Sequence, residues 1–233
     1  MAIRPNIEVS SEVREIIIAD AVLIIAFSLT LSGGLSAFFA SSQGFISKFV
    51  YVVPIVALAV TLSFILHEMM HKFVAQHYGA IAGFRSSPQG LAITLITGAF
   101  GFLFGIPGAT MIYVHSFTKE QNGIVSLAGP MTNFVVFVVF FYLLYALHPA
   151  TGSYLSSAIV FTIFISLLLA FFNMLPLYPL DGSKVLAWNA PVYVVCMAVL
   201  VGIMFISGAF PVSELAYLLI FAFVISLFAR HLF

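Results

Sequence analysis

Six long apolar stretches, separated by short polar segments, make up most of the chain. They cover roughly residues 15–38, 50–77, 124–147, 155–174, 191–209 and 213–232. A helix needs about 20 apolar residues to cross the hydrocarbon layer of a bilayer, so each stretch predicts a transmembrane helix. The first stretch follows a polar segment and has no clear small-residue cleavage site. We therefore expect it to be retained as a span and not removed as a signal peptide.

Residues 90–116 form a further apolar stretch of a different kind. This stretch contains five glycines and one proline, and the residues around them are rich in Ile, Thr and Val. Such a composition suits strands and turns better than a straight helix. We expect strand-forming segments near residues 91–97 and 109–115.

The lysines and arginines decide between six spans and seven. In a six-span chain, the loops and termini alternate between the two sides, and one side holds only Lys48. The other side holds Arg4, Arg14, Lys72, Arg85, Lys119, Lys184 and Arg230. A full seventh span at residues 90–116 would divide the basic residues four against four. Because basic loops stay in the cytoplasm, the sequence predicts six spans with both termini cytoplasmic.

Residues 90–116 must then return to the side from which they enter the membrane. We expect a short membrane-associated β or re-entrant segment after the second helix. Non-helical backbone at membrane depth must be covered by protein or line a wet cavity. The sequence therefore predicts an all-α polytopic membrane protein, a single domain over residues 1–233, with a cavity beside the end of the second helix.

Composition narrows the class of protein further. The chain is 63% hydrophobic and 7% charged, which excludes a soluble domain of this length. Its formal net charge is zero, so nothing favours binding to nucleic acid. The single cysteine, Cys196, excludes an internal disulfide and a cysteine zinc cluster. We therefore expect the protein to lie in a lipid bilayer, and any metal site in it would need ligands other than a cysteine cluster.

The sequence HEMMH, which begins at His67, places three ionisable residues near the end of the second predicted span. Its two histidines are four residues apart, so both imidazoles lie on one face of a helix. This is the H-E-x-x-H pattern of zinc hydrolases, in which Glu68 would take a proton from water. The alternative is a pair of hydrogen-bonded core histidines. Three unused ionisable groups inside a membrane would be costly, which favours the metal.

A catalytic zinc site usually has three protein ligands and one open position, so a third ligand is needed. Other ionisable candidates within or beside the spans are His77, His115, His148, His231, Asp20 and Asp181. His77 falls on the opposite side of its helix from His71. Asp20 is one turn into its span, from where a carboxylate can reach the interface.

Asp181 differs from the other candidates because of its surroundings in the segment NMLPLYPLDG, residues 173–182. Pro176 and Pro179 interrupt the fourth helix, and Gly182 permits a sharp turn. The broken backbone would let Asp181 point inward. The alternative is a solvated aspartate in a cytoplasmic loop.

The depth of the two motifs favours a shared site. His67 lies about 24 Å along its helix when counted from Tyr51, and Asn173 lies about 26 Å along its helix from Ser156. Both helices run from the outer face in the six-span chain. The two motifs are therefore predicted at the same level, a little inside the cytoplasmic surface of a hydrocarbon layer about 30 Å thick.

Three motifs occur in a fixed order: HEMMH in the second span, AGPMTN (residues 128–133) in the third and NMLPLYPLDG in the fourth. Together they resemble the site-2 protease family of intramembrane zinc metalloproteases, in a short form without PDZ or CBS domains. The resemblance is strongest over the three central spans and implies a catalytic core at about residues 50–184. The family usually reads L-D-G-G where this chain has Ser183, which is a small departure.

The resemblance implies the chemistry of the site. His67, His71 and Asp181 would bind one zinc ion. Glu68 would be the catalytic glutamate, and Asn173 would position the substrate or stabilise the oxyanion. The implied reaction is hydrolysis of a peptide bond within or near a transmembrane segment. The implied partner is a single-span membrane protein in a prokaryotic cell membrane, with the active site toward the cytoplasm.

Two other functions stay open at this point. A metal or proton transporter would also carry His, Asp and Glu within the membrane, and a catalytically inactive relative would bind membrane helices without cutting them.

Asn133, in the third span, would hydrogen-bond the active-site segment at the end of the fourth helix or make a packing contact between helices. An unwound substrate segment would add to a strand near residues 91–97 or 109–115.

Overall fold

The computed structural model describes residues 9–103, 107–113 and 116–207. Within these ranges the chain is mostly helical, with one small sheet. The elements are α1 (Val9–Ser32), α2 (Gly34–Ala40), α3 (Ser42–Val60), α4 (Leu66–His77), β1 (Ile81–Ser86), α5 (Pro88–Ala99), β2 (Gly108–Tyr113), α6 (Lys119–Leu147), α7 (Tyr154–Asn173), α8 (Asp181–Trp188) and α9 (Ala190–Ser207). A π-helical turn, Thr61–Ile65, joins α3 to α4.

Within the described residues, five helical segments are long and apolar enough to cross a membrane. They are Ser11–Ser32, Ser42–His77, Lys119–Leu147, Tyr154–Asn173 and Ala190–Ser207. These segments match the first five predicted spans, and the predicted sixth, 213–232, lies outside the described residues. The first ends earlier than predicted because Gly33 and Gly34 take φ values of 96° and 63°, a conformation that terminates a helix.

The second span is one long helix with an irregular turn. The π turn Thr61–Ile65 comes directly before α4, which carries the histidines of the HEMMH motif. Ser63 within this turn is fully buried, and its hydroxyl lies 2.7 Å from the hydroxyl of Ser166 on α7. A π turn places an extra residue in one turn of the helix and so re-aims the side chains that follow it.

The first half of the segment 90–116 is a helix, so the strand predicted near residues 91–97 was wrong. Ser87 caps α5 by accepting a hydrogen bond from the Gly90 N–H, and Pro88 occupies the first turn. The hydroxyls of Thr94 and Thr97 bond to carbonyls one turn back in the helix. Tertiary contact with α1 outweighs the strand propensity of these residues, since α5 packs along α1.

The second half of the segment contains a strand, as predicted. β2 pairs with β1 in an antiparallel sheet, with Phe84 opposite Thr110 and Gly83 opposite Met111. β1 was not predicted. It is only six residues long and contains a glycine, so neither its length nor its propensity singles it out.

Two carboxylates of α1 lie along the outer edge of β1. Glu12 accepts hydrogen bonds from the Phe84 N–H at 3.1 Å and from Lys72 Nζ at 2.7 and 2.8 Å. Glu15 accepts one from the Ser86 N–H at 2.8 Å and one from Arg85 Nη1 at 2.7 Å. Helix α1 is therefore joined through ion pairs both to the sheet and to α4.

Helix α6 occupies the centre of the described structure, because it packs against α4, α7 and α8. It begins at a capping box in which the Thr118 hydroxyl accepts from the Gln121 N–H and the Gln121 side chain accepts from the Thr118 N–H. One side of α6 borders the largest buried apolar cluster, which includes Phe137, Leu167 and Phe171. Another face of α6 meets the HEMMH motif.

Candidate metal centre

The two histidines of the HEMMH motif point to the same place. Both are buried, and their Nε2 atoms lie 3.0 Å apart on the face of α4 that meets α6. The spacing of four residues produces this arrangement, because one helical turn separates them.

Asp181 joins the histidines from α8. Its Oδ2 lies 3.1 Å from His71 Nε2 and 3.5 Å from His67 Nε2. The turn between α7 and α8 makes this approach possible, and Gly182 is essential to it. A Cβ at Gly182 would collide with the carbonyl oxygen of Met174, so no other residue fits without moving the backbone.

The spacing of these three atoms fits a tetrahedral zinc ion. Zinc binds nitrogen and oxygen at about 2.0–2.1 Å, so tetrahedral ligand atoms are about 3.3–3.4 Å apart. The observed separations of 3.0, 3.1 and 3.5 Å bracket this value. The set of two imidazoles and one carboxylate is also one that zinc prefers, and it leaves a fourth position for water or substrate. In the described part of the chain, these three residues are the group that could hold a metal.

The charge on Asp181 suits a metal ligand. Burial by itself raises the pKa of this carboxyl, but attraction to His71 and hydrogen bonds with both imidazoles outweigh burial and hold the pKa well below its ordinary value. The carboxylate is therefore ionised at neutral pH, as metal binding requires.

Both histidines have a partner on their second ring nitrogen. His71 Nδ1 lies 2.7 Å from the Val125 carbonyl oxygen, and His67 Nδ1 lies 3.1 Å from the Asn133 amide. Gly129 lies between these partners on α6. A Cβ at Gly129 would collide with His71 Nε2 and lie 2.6 Å from His67 Nε2, so the absence of a side chain keeps the ligand space open.

Glu68 is held by strand β2. Its Oε2 accepts hydrogen bonds from the Thr110 N–H at 2.9 Å and from Thr110 Oγ1 at 2.8 Å. The same hydroxyl lies 3.0 Å from the Glu68 carbonyl oxygen. Glu68 is thus buried beside the ligand histidines and fixed to the sheet that follows them.

The structure places the other predicted residues in different surroundings. Asn173 is the last residue of α7, and its Nδ2 donates to the Leu169 carbonyl oxygen at 3.0 Å. Its role toward a substrate stays a prediction. His77 and His148 are exposed at helix ends. His115 and His231 lie outside the described residues.

Asp20 does not reach the interface as expected. It is buried, and its Oδ2 accepts a hydrogen bond from Thr61 Oγ1 at 2.7 Å. Asn133 makes a contact between helices, one of the two expected alternatives, and its described partner is His67 on α4. Thr110 and the Val125 carbonyl escaped sequence reasoning altogether. The spacing of Gly129 and Asn133 by four residues was the available signal for a face of α6 directed at α4.

Three curated relatives bear the name "Putative zinc metalloprotease". MJ0611 from Methanocaldococcus jannaschii is 42% identical over 177 residues, which cover 76% of this chain and 90% of the relative. YwhC from Bacillus subtilis is 30% identical over 58% of this chain and 68% of its own length. Rip2 from Mycolicibacterium smegmatis is 28% identical over 72% and 70%. No protein-family model and no solved structure matches the chain.

Proposed function

The chain belongs to the site-2 protease family of zinc metalloproteases, and from this premise we propose that it hydrolyses a peptide bond within or near a transmembrane segment of a membrane protein. The observation that carries the proposal is the convergence of three buried ligand atoms beside a buried glutamate within apolar helices. Each of these groups is expensive to bury without a function.

The proposed roles follow from the geometry. His67, His71 and Asp181 would hold one zinc ion. When bound, zinc would lower the pKa of water at the fourth position and polarise a peptide carbonyl. Glu68 takes a proton from the attacking water as a new C–O bond forms at the peptide carbonyl carbon, and the carbonyl oxygen becomes an oxyanion. Glu68 then gives the proton to the leaving amine, and the C–N bond breaks as the carbonyl re-forms.

Asn173 is proposed to stabilise the oxyanion or position the substrate. Its amide is only half-buried, at the point where α7 ends, and it points its Nδ2 at the Leu169 carbonyl. A bond to the substrate would replace that bond at little cost, because an intrahelical carbonyl already has a backbone donor within the helix.

Strand β2 is proposed to receive the substrate. A peptide bond inside a helix is inaccessible, so the substrate must unwind before hydrolysis. In β2 the Thr110 N–H points away from β1, and the alternation of a strand gives the Ile112 N–H the same direction. An extended substrate segment that adds to this edge would lie beside Glu68.

The proposed substrate is a single-span membrane protein, and the proposed location is a prokaryotic cell membrane with both chain termini in the cytoplasm. Relatives from Methanocaldococcus jannaschii and Bacillus subtilis support the prokaryotic setting. The distribution of lysine and arginine supports the orientation.

The first experiment needs no substrate. Zinc is counted per chain in detergent-purified wild type and in Asp181→Ala. We expect about one zinc ion per wild-type chain and a clear loss in the variant, because two ligands do not make a catalytic zinc site. Wild type that holds no zinc after careful purification would exclude the metalloprotease and leave the transporter or the inactive relative.

The second experiment tests hydrolysis. The protein is reconstituted in liposomes with a set of single-span reporter proteins in water enriched in ¹⁸O. Hydrolysis places ¹⁸O in the new carboxyl terminus of the fragment, and mass spectrometry detects it. Wild type should yield labelled fragments and Glu68→Gln should not. Zinc without labelled fragments, together with metal flux across the liposomes, would favour the transporter.

A further inference from the structure

One face of α6 serves both ligand histidines. Val125, Gly129 and Asn133 follow one another at intervals of four residues, so they lie along a single stripe of the helix. The two outer members contact the Nδ1 atoms of His71 and His67, and the middle member passes their Nε2 atoms. We refer to these three residues as the α6 stripe.

The two outer contacts of the α6 stripe are chemically different. The Val125 carbonyl can only accept, so it holds a proton on Nδ1 of His71, and Nε2 is the nitrogen that remains for a metal. The Asn133 amide can donate through Nδ2 or accept through Oδ1. In the described orientation Nδ2 lies 3.1 Å from His67 Nδ1, and a hydrogen bond from Nδ2 would require an unprotonated Nδ1.

In the described orientation of Asn133, one polar atom of the side chain lacks a hydrogen bond. Asn133 is 0% exposed, and its Oδ1 has no hydrogen-bond partner in the described part of the chain. A buried amide oxygen without a partner is unfavourable by about 1–3 kcal/mol. A metal on His67 Nε2 would move the ring proton to Nδ1, and a half-turn of the amide would then aim Oδ1 at that proton.

We propose that Asn133 is a positioning residue that orients His67 and sets the zinc affinity of the site by accepting the Nδ1–H bond. This proposal rests on the proposed function only in requiring the zinc site. It assigns Asn133 no contact with the substrate.

The test measures zinc affinity in the full chain, in detergent, by competition with a fluorescent zinc chelator. Asn133→Leu has a similar shape and no acceptor, so its zinc affinity should fall by roughly 10–100-fold, the usual effect of removing such a partner. Asn133→Asp keeps an acceptor and should remain within about threefold of wild type. Equal affinities in wild type and Asn133→Leu, or equal losses in the two variants, would overturn the proposal.

A second measurement requires no variant. Nitrogen spectra of ¹⁵N-histidine-labelled wild type, loaded with zinc, report which ring nitrogen carries the proton. The proposal requires a protonated Nδ1 and a metal-bound Nε2 at His67, and the reverse would overturn it.

The matched control for the affinity measurement is Thr162→Val on α7. Thr162 is a buried polar residue whose hydroxyl bonds to the Ala158 carbonyl in its own helix. Its zinc affinity should equal that of wild type.

The outcomes separate this proposal from the proposed function. Loss of zinc in Asp181→Ala with full affinity in Asn133→Leu would leave the protease standing and remove the role of Asn133. Absence of zinc from wild type would remove both.

Discussion

The two edges of the small sheet are closed in different ways. At the β1 edge, the N–H groups of Phe84 and Ser86 donate to Glu12 and Glu15, and each carboxylate also pairs with a cation. At the β2 edge, the Thr110 N–H donates to Glu68, which forms no ion pair with a lysine or arginine in the described part of the chain. An unpaired strand edge invites another strand.

The difference indicates which edge can open. Opening the β1 edge would leave the buried carboxylate of Glu12 without its partly buried partner Lys72, which is unfavourable, and would also break the more exposed pair of Glu15 and Arg85. Opening the β2 edge requires only that Glu68 exchange its bonds with Thr110 for water or substrate. A substrate strand that takes the Thr110 N–H would therefore release the carboxylate that is proposed to act on the attacking water.

The largest predicted contrast concerns catalysis. Glu68→Gln should lower cleavage of a single-span reporter by roughly 10²–10⁴-fold, the usual contribution of a general base. The glutamine oxygen still accepts from the Thr110 N–H, so zinc content and thermal stability should stay at wild-type values. Cleavage at the wild-type rate in this variant would remove Glu68 from its proposed role.

Substitutions at the β1 edge should lower the stability of the protein against unfolding. Glu12→Ala leaves Lys72 Nζ and the Phe84 N–H without their acceptor, and breaking a buried pair costs about 3–5 kcal/mol. Unfolding in mixed detergent micelles measures this loss. Glu15→Ala is the matched control, and it should lose less stability because its ion pair is more exposed. The side chains of Arg85 and Glu15 are 32% and 23% exposed, whereas those of Lys72 and Glu12 are 17% and 5% exposed. A larger loss in Glu15→Ala would contradict this view of the edge.

Proline substitutions in β2 should weaken substrate cleavage at every second position, where the N–H faces the open edge of the sheet. Ile112→Pro removes an N–H directed at the open edge, so cleavage should fall by roughly fivefold, the equivalent of one hydrogen bond of about 1 kcal/mol. Ile112→Ala is the control, since it shortens the side chain and keeps the N–H. Met111→Pro removes an N–H directed at β1 and should destabilise the sheet. Equal effects of Ile112→Pro and Ile112→Ala would exclude strand addition at this position.

The smallest predicted effect concerns the Thr110 hydroxyl. Thr110→Val removes the bond from Oγ1 to Glu68 and keeps the backbone N–H, so kcat should fall by roughly two- to threefold, the equivalent of about 0.5 kcal/mol, with KM unchanged. Thr110→Ser should restore kcat. Thr132→Val is the control, because its hydroxyl bonds only to the Ala128 carbonyl in its own helix. A serine variant as impaired as the valine variant would show that the methyl group matters and the hydroxyl does not.

The local parts of the site could be predicted from sequence. The face shared by His67 and His71 follows from helical periodicity alone. The prediction that Asp181 points inward depended on the two prolines and Gly182, which break the helix before it. The prediction that it lies near the histidines depended on the equal depth of the two motifs along their helices. Each of these steps uses residues close in sequence or a bilayer of known thickness.

The non-local parts could not be predicted in the same way. The helix at α5 depends on packing against α1, which overrides the strand propensity of Thr94 and its neighbours. β1 is stabilised by carboxylates about 70 residues away in sequence. The partner of Asn133 depends on how α6 is rotated about its axis, and periodicity fixes only which residues share its face.

The π turn at Thr61–Ile65 has a consequence for the length of the chain at this point. The turn holds one residue more than an α-helical turn, so deleting one residue there would give a regular α-helix that continues in nearly the same direction. His67, Glu68 and His71 should then still face α6, α8 and β2. Deleting one residue from the regular helix α3 would instead turn all following side chains by about 100° and separate the motif from these partners. The π turn is therefore predicted to be the one place in this span that tolerates the loss of a residue.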